Sequence, residues 1–334
     1  LPAQSVEATA GDDPRTVPRA CIANALRQSA RMKNPLRLPL CVVAALALFA
    51  SGCIEFEQQT ATFQHDPKAD TLKLFQIFHG IYSSDVADGP SDDEKRQWDS
   101  LFSGQRTFFF ANWILELNRA QLEEALADTR NSSPGDDAGI RRKKQTEEFL
   151  TFLLANLRVE NGSLYLDSKQ RLCGVQRVTF SSISKILTLS TPVLRAVMAD
   201  EANKSDKPAD EREAITKWLA RNESPITLAD QALVLRLPMP RDNFERDLTG
   251  SERARKSIAA LKAAGGSVTY TNDAAHIRLP AAPMKPTSIT LPVAEKETYN
   301  PAFLKYVRGK QTVAEKFSPD AAAAEFLGSA KAKP

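Results

Sequence analysis

The chain offers few side chains that could do chemistry, and they are scattered. Its three histidines are His65, His79 and His276. His65 and His79 fall on neighbouring predicted strands, with Asp66 and Asp70 in the turn between them. They are the candidate metal ligands, weighed against a pair of exposed strand histidines. A metal would require convergent nitrogens and oxygens at about 2 Å from the ion. None of the spacings that enforce such convergence, His-x-His, His-Glu-x-x-His or paired cysteines, occurs, so no metal and no cofactor is expected. Cys173 lies between Leu172 and Gly174, with Arg171 and Arg177 close in sequence. A reactive thiol needs positive charge facing it; the expectation is a half-buried, inert one.

Other short patterns lead to bland readings. Ser182-Ile183-Ser184-Lys185 places a lysine one helical turn from a serine, the spacing with which penicillin-binding enzymes assist serine ionisation. The Ser-Asp-Asn and Lys-Thr-Gly elements of those enzymes are missing, so a helix start with a solvated lysine is expected. Gly-x-Ser-x-Gly, phosphate-loop and dinucleotide fingerprints are also missing. Asp85-Val86-Ala87-Asp88-Gly89 lacks the alternating oxygen spacing of a calcium loop. The aromatic run Phe108–Trp113 could meet a protein or glycan partner, but a domain of this size needs such residues inside.

Composition narrows the classes. The 334 residues carry 44 basic and 41 acidic side chains. Residues 1–52 hold six of the basic ones and three of the acidic ones, which leaves 38 of each from Cys53 onward. A chain neutral in that part has no overall basic field for nucleic acid, and none is expected as a partner. Of the four cysteines, only Cys53 and Cys173 lie beyond residue 52. If Cys53 is modified, no internal disulfide can form, and stability must come from an apolar core.

The strongest pattern is positional. Met32 is followed by Lys33 and Arg37 and then by the apolar run Leu38–Ala50. Thirteen residues make a helix of about 20 Å, too short for about 30 Å of hydrocarbon but fitting a secretory signal. The run ends in Phe49-Ala50-Ser51-Gly52-Cys53, which resembles the lipobox of bacterial lipoproteins, with Ala50 where the family usually has leucine. The resemblance covers about twenty residues. It implies cleavage between Gly52 and Cys53, acylation of Cys53, and attachment to membrane lipid. Residue 54 is isoleucine rather than aspartate, which in lipoproteins of two-membrane bacteria implies passage to the outer membrane. Residues 1–31 precede the start of the signal and read as an upstream extension outside the native protein.

Local patterning places the elements. Residues 54–82 read as two strands joined by turn residues Asp66–Asp70; Thr71–Tyr82 is apolar enough for a central strand. Ser91 and Glu94 form a capping box for a helix closed by Gly104. Arg106–Leu117 reads as a strand, with a single helix from Phe109 to Ala127 as the rival. Asn118 and Gln121 cap the next helix, and another covers Arg141–Asn156. Leu157–Phe180 reads as three strands of a β-meander, turning at Asn161-Gly162 and at Asp167–Gln170. Helices follow at Ser181–Asn203, kinked or restarted at Pro192, and at Pro208–Arg221. Then come a strand Ala232–Leu237, a helix Ser251–Ala264, and a hairpin about Asn272-Asp273.

Clustered rather than alternating elements predict an α+β fold, its sheet largely antiparallel with flanking helices. The expected organisation is a signal peptide at 32–52, a globular domain at 53–280, and an extended tail at 281–334 containing two short helices. The functional expectation is a membrane-anchored cell-envelope lipoprotein with a non-enzymatic binding or structural role and an envelope protein or glycan as partner. The alternative is an anchored hydrolase whose site has no recognisable motif. A third reading, a carrier, would show a deep apolar groove.

Overall fold

The computed structural model describes residues 54–83, 90–103, 106–109, 115–204, 206–250, 252–293 and 301–328. The predicted leader at 32–52, Cys53, the extension at 1–31, the 85–89 loop, Gly104 and residues 110–113 of the aromatic run lie outside them.

The fold is α+β. Its frame is a hairpin of two thirteen-residue strands, β1 (Ile54–Asp66) and β2 (Thr71–Ser83). The Asp66 carboxylate accepts the backbone N–H groups of Lys68 and Ala69, which closes the turn. α1 (Asp92–Phe102) starts at the predicted capping box, Ser91 with Glu94. β3 (Arg106–Phe109) and β4 (Leu115–Asn118) pair antiparallel, and α2 (Arg119–Asn131) begins at the Asn118 cap. α3 (Asp137–Asn156) leads into β5 (Leu157–Leu166) and β6 (Leu172–Ser181). α4 (Ile183–Ala202) continues through Pro192 as one helix, and α5 (Ala209–Ala220) follows. The rest comprises β7 (Ile226–Ala229), β8 (Ala232–Pro238), α6 (Glu252–Ala263), β9 (Ser267–Thr271), β10 (Ala274–Pro280), β11 (Thr287–Pro292), α7 (Pro301–Lys310), β12 (Val313–Ala314) and α8 (Pro319–Leu327).

Six strands form the main sheet in the order β11-β1-β2-β6-β5-β12, antiparallel except for the β12–β5 pair. A second sheet runs β7-β8-β10-β9. The almost uninterrupted apolar run of β2 makes sense because both its faces are covered. On the broad face, Leu72 and Leu74 join Phe63, Val178 and Phe180 in a core shared with Phe149 and Leu153 of α3, Ile183 of α4, and Leu235, Ile277 and Leu279 of the second sheet. Toward the other end of that face, Phe56, Phe78 and Ile81 pack with Trp98 of α1 and Phe303, Leu304 and Val307 of α7. On the far face, Phe75, Ile77, Cys173 and Val175 lie under Ala322 and Leu327 of α8.

Three expectations need correction. Arg106–Leu117 is not one strand: β3 and β4 pair with each other antiparallel, Thr107 opposite Leu117. Asn161-Gly162 is not a turn. β5 continues to Leu166, with a register shift between Asn161 and Leu164 against β6, so Leu157–Phe180 folds as two strands and not three. Gly162 packs against Val175, and the Asn161 side chain donates to the Leu101 carbonyl instead of closing a loop. The segment after Pro280 is no loose tail. Its two short helices form at the expected places, but β11 pairs with β1 along six residues, burying Ile289 and Leu291, and both helices dock on the main sheet. Among the described residues, no helix is long and apolar enough to cross a membrane.

Candidate functional site

The hairpin register separates the candidate metal ligands. His65 stands opposite Leu72 and His79 opposite Gln58, seven residues further along β1, or about 24 Å at strand rise. No group of three or more His, Cys, Asp or Glu among the described residues is placed to hold a metal. His79 shares a hydrogen bond with the Thr60 hydroxyl at 2.9 Å. Burial, and then the Arg171 cation, hold its pKa below the usual 6.5. His276 on β10 faces Arg236 of β8, and burial followed by that guanidinium lowers its pKa as well.

The Ser182 and Lys185 pair also comes apart. Ser182 adopts left-handed φ at the start of α4 and gives no side-chain cap. The Lys185 ammonium sits 4.4 Å from the Phe152 ring centroid. Asp70, from the β1–β2 turn, caps the helix instead by accepting from the backbone and hydroxyl of Ser184. Cys173 is fully rather than half buried, and burial pushes its thiol pKa up to about 11. Phe108 packs edge-on to Phe78 and beside Phe56, so it belongs to the core.

Two arrangements of polar side chains give the main sheet its character. The first is a charged clasp. Arg171 donates to Glu57 at 2.5 Å and to Asp167 at 2.7 Å. It ties the β5–β6 turn to β1 across the intervening strand β2. The three side chains are 21%, 9% and 17% exposed, respectively. Glu57 crosses β2 at Gly80, whose φ is +62°. A Cβ at that position would stand 2.6 Å from the Glu57 Cδ, closer than real Cβ atoms approach. Burial alone would raise the Asp167 carboxyl, but hydrogen bonds from the Arg171 side chain and backbone outweigh it and hold the pKa below 3.8.

The second is an amide row on the broad face. Gln76, Gln176 and Asn161 are register partners on β2, β6 and β5. Gln59 on β1 donates to Gln76 at 2.6 Å and to the Phe108 carbonyl at 2.8 Å. Gln76 donates to the Thr107 hydroxyl, and Gln176 to the Arg106 carbonyl and Asn161. The row therefore grips β3 by its main chain. Gln59, Gln76 and Gln176 are all but fully buried, where an unbonded polar atom costs about 1–3 kcal/mol; the Gln176 Oε1 is left without a partner among the described residues.

No family model, curated protein or solved structure matches this chain. An apolar gap of 20 Å³ between the two sheets, lined by Phe63, Leu72, Leu74, Leu233 and Leu279 among others, has room for about one water. The sequence did not single out the glutamines or the Glu57–Arg171 pair. The available signal was a glutamine inside the otherwise apolar Leu74–Phe78 run, at a position facing the broad core.

Proposed function

We propose that this chain is a lipid-anchored cell-envelope protein, attached through acylated Cys53, whose mature body has a binding or structural role rather than a catalytic one. The observation that carries the reading is the sequence pattern itself: Met32 with Lys33 and Arg37, the apolar run Leu38–Ala50, and Phe49-Ala50-Ser51-Gly52-Cys53. The polar side chains of the main sheet support the non-catalytic half of the reading. Arg171 is shared between Glu57 and Asp167 in a tie between strands, and Gln59, Gln76 and Gln176 hold β3.

Acylation supplies the anchor: each buried methylene contributes about 0.8 kcal/mol, so several chains hold firmly where one is marginal. The test is metabolic labelling with a fatty acid in a bacterium expressing the full chain. Label in the wild type and none in Cys53→Ser supports the anchor; equal labelling of both refutes it.

A further inference from the structure

We infer that the body stands end-on against the bilayer, with the β5–β6 turn at Ser168–Gln170 resting at the phospholipid headgroups and the Asp66–Asp70 turn pointing away. The inference rests on the lipid-anchor reading and adds an orientation to it. Cys53 and Ile54 are consecutive, so their Cα atoms are about 3.8 Å apart, and Ile54 is already paired within the main sheet. The tether therefore has no slack, and whatever surrounds the start of β1 must lie at the membrane surface.

The β5–β6 turn is held there by the clasp. Arg171, at its end, bonds Glu57, three residues after Ile54. Leu172, the next residue, packs with Phe56 and Ile81. Ser168, Lys169 and Gln170 at the tip are exposed, a polar edge suited to the headgroup layer. At the other end of β1, about 40 Å away along the strand, stand the exposed Lys68 and Met284, the latter donating its N–H to the His65 carbonyl. A face-on arrangement conflicts with the short tether. Helices cover both faces of the main sheet, α8 on one and α1 and α7 on the other. Lying on either would lift β1 off the surface by about the 10 Å thickness of a helix.

The experiment uses lipidated full-length protein purified from membranes and reconstituted in vesicles of phosphatidylethanolamine and phosphatidylglycerol containing a lipid spin-labelled on its headgroup. A fluorophore is attached through Lys169→Cys or Lys68→Cys, and the buried Cys173 stays unlabelled. The expected result is loss of most emission for the 169 label and almost none for the 68 label. Equal quenching of the two, or stronger quenching at 68, in protein that floats with the vesicles overturns the orientation alone. Failure of the lipidated protein to float, or equal flotation of Cys53→Ser, overturns the anchor and the orientation together.

Discussion

Glu57 reaches Arg171 by passing over Gly80, the one position in β2 where the backbone turns left-handed and carries no side chain. Gly80→Ala therefore meets two penalties, a strained φ and displacement of the Glu57 carboxylate. Together they should cost about 2–4 kcal/mol. Denaturant unfolding of the Glu57→Ala, Gly80→Ala and double variants measures this. The double variant should lose clearly less than the sum of the singles, because the collision disappears with the glutamate. Strict additivity would mean that the glutamate and the glycine act independently.

The amide row makes a different prediction. Gln76→Ala removes one bond of the Gln59 amide, which keeps its bond to the Phe108 carbonyl, and the bond to the Thr107 hydroxyl, at about 1–3 kcal/mol. The loss should be local as well as global. Amide hydrogen exchange at Thr107 and Phe108 should accelerate more than exchange in β2 at Leu72–Leu74. Unchanged protection of β3 would show that its pairing with β4 suffices to hold it.

Acid should weaken the fold in two stages. The folded pKa values of His79 and His276 lie below 6.5, so below that pH the unfolded chain binds protons that the folded chain refuses. Stability is full above pH 6.5 and falls as pH drops through the folded values. Asp167 has a folded pKa below 3.8, so its contribution persists above that pH and is lost beneath it. Thermal melts of wild type and His79→Gln from pH 7.5 to 5 check the first stage. The variant should show a shallower decline, and identical slopes would exclude His79 as a contributor.

Cys173 should resist modification in the native protein. Its raised pKa and complete burial leave almost no accessible thiolate at pH 8. Incubation with iodoacetamide followed by intact-mass measurement should show no adduct at Cys173 until denaturant is added. Rapid native labelling would require the α8 cover to open frequently.

Asp70 provides the N-terminal cap of α4 from outside the helix. Asp70→Ala removes both bonds to Ser184 and should cost about 1 kcal/mol. Ser182→Ala should cost less, since that hydroxyl makes no cap. A larger effect at Ser182 in chemical denaturation would reverse the assignment.

The legible parts of this chain are those whose cause is local. The Ser91–Glu94 box, the Asn118 cap, the Asp66 turn and the apolar β2 each depend on neighbours within a few residues, and each forms where the pattern says. Asn161-Gly162 misleads because the same dipeptide suits a tight turn and an irregular strand, and only pairing with β6 selects between them. β11 is hidden among prolines, where six residues with two inward apolar side chains carry little periodic signal. The polar arrangements are least legible. Whether Gln76 faces water or Thr107, and whether Glu57 can meet Arg171, depends on strands separated by up to 114 residues.

The pairing of β1 with β11 sets a condition on the order in which the molecule can assemble. Among the described residues, the outer edge of β1 from Gln58 to Phe63 is satisfied by residues 287–292. Until that late segment has emerged from a ribosome or an export channel, the first strand presents open amide and carbonyl groups that any other extended chain could capture. A polypeptide cut at Pro280 would keep most of its helices yet carry a permanently sticky border. Such a truncation should aggregate during refolding while the intact chain recovers.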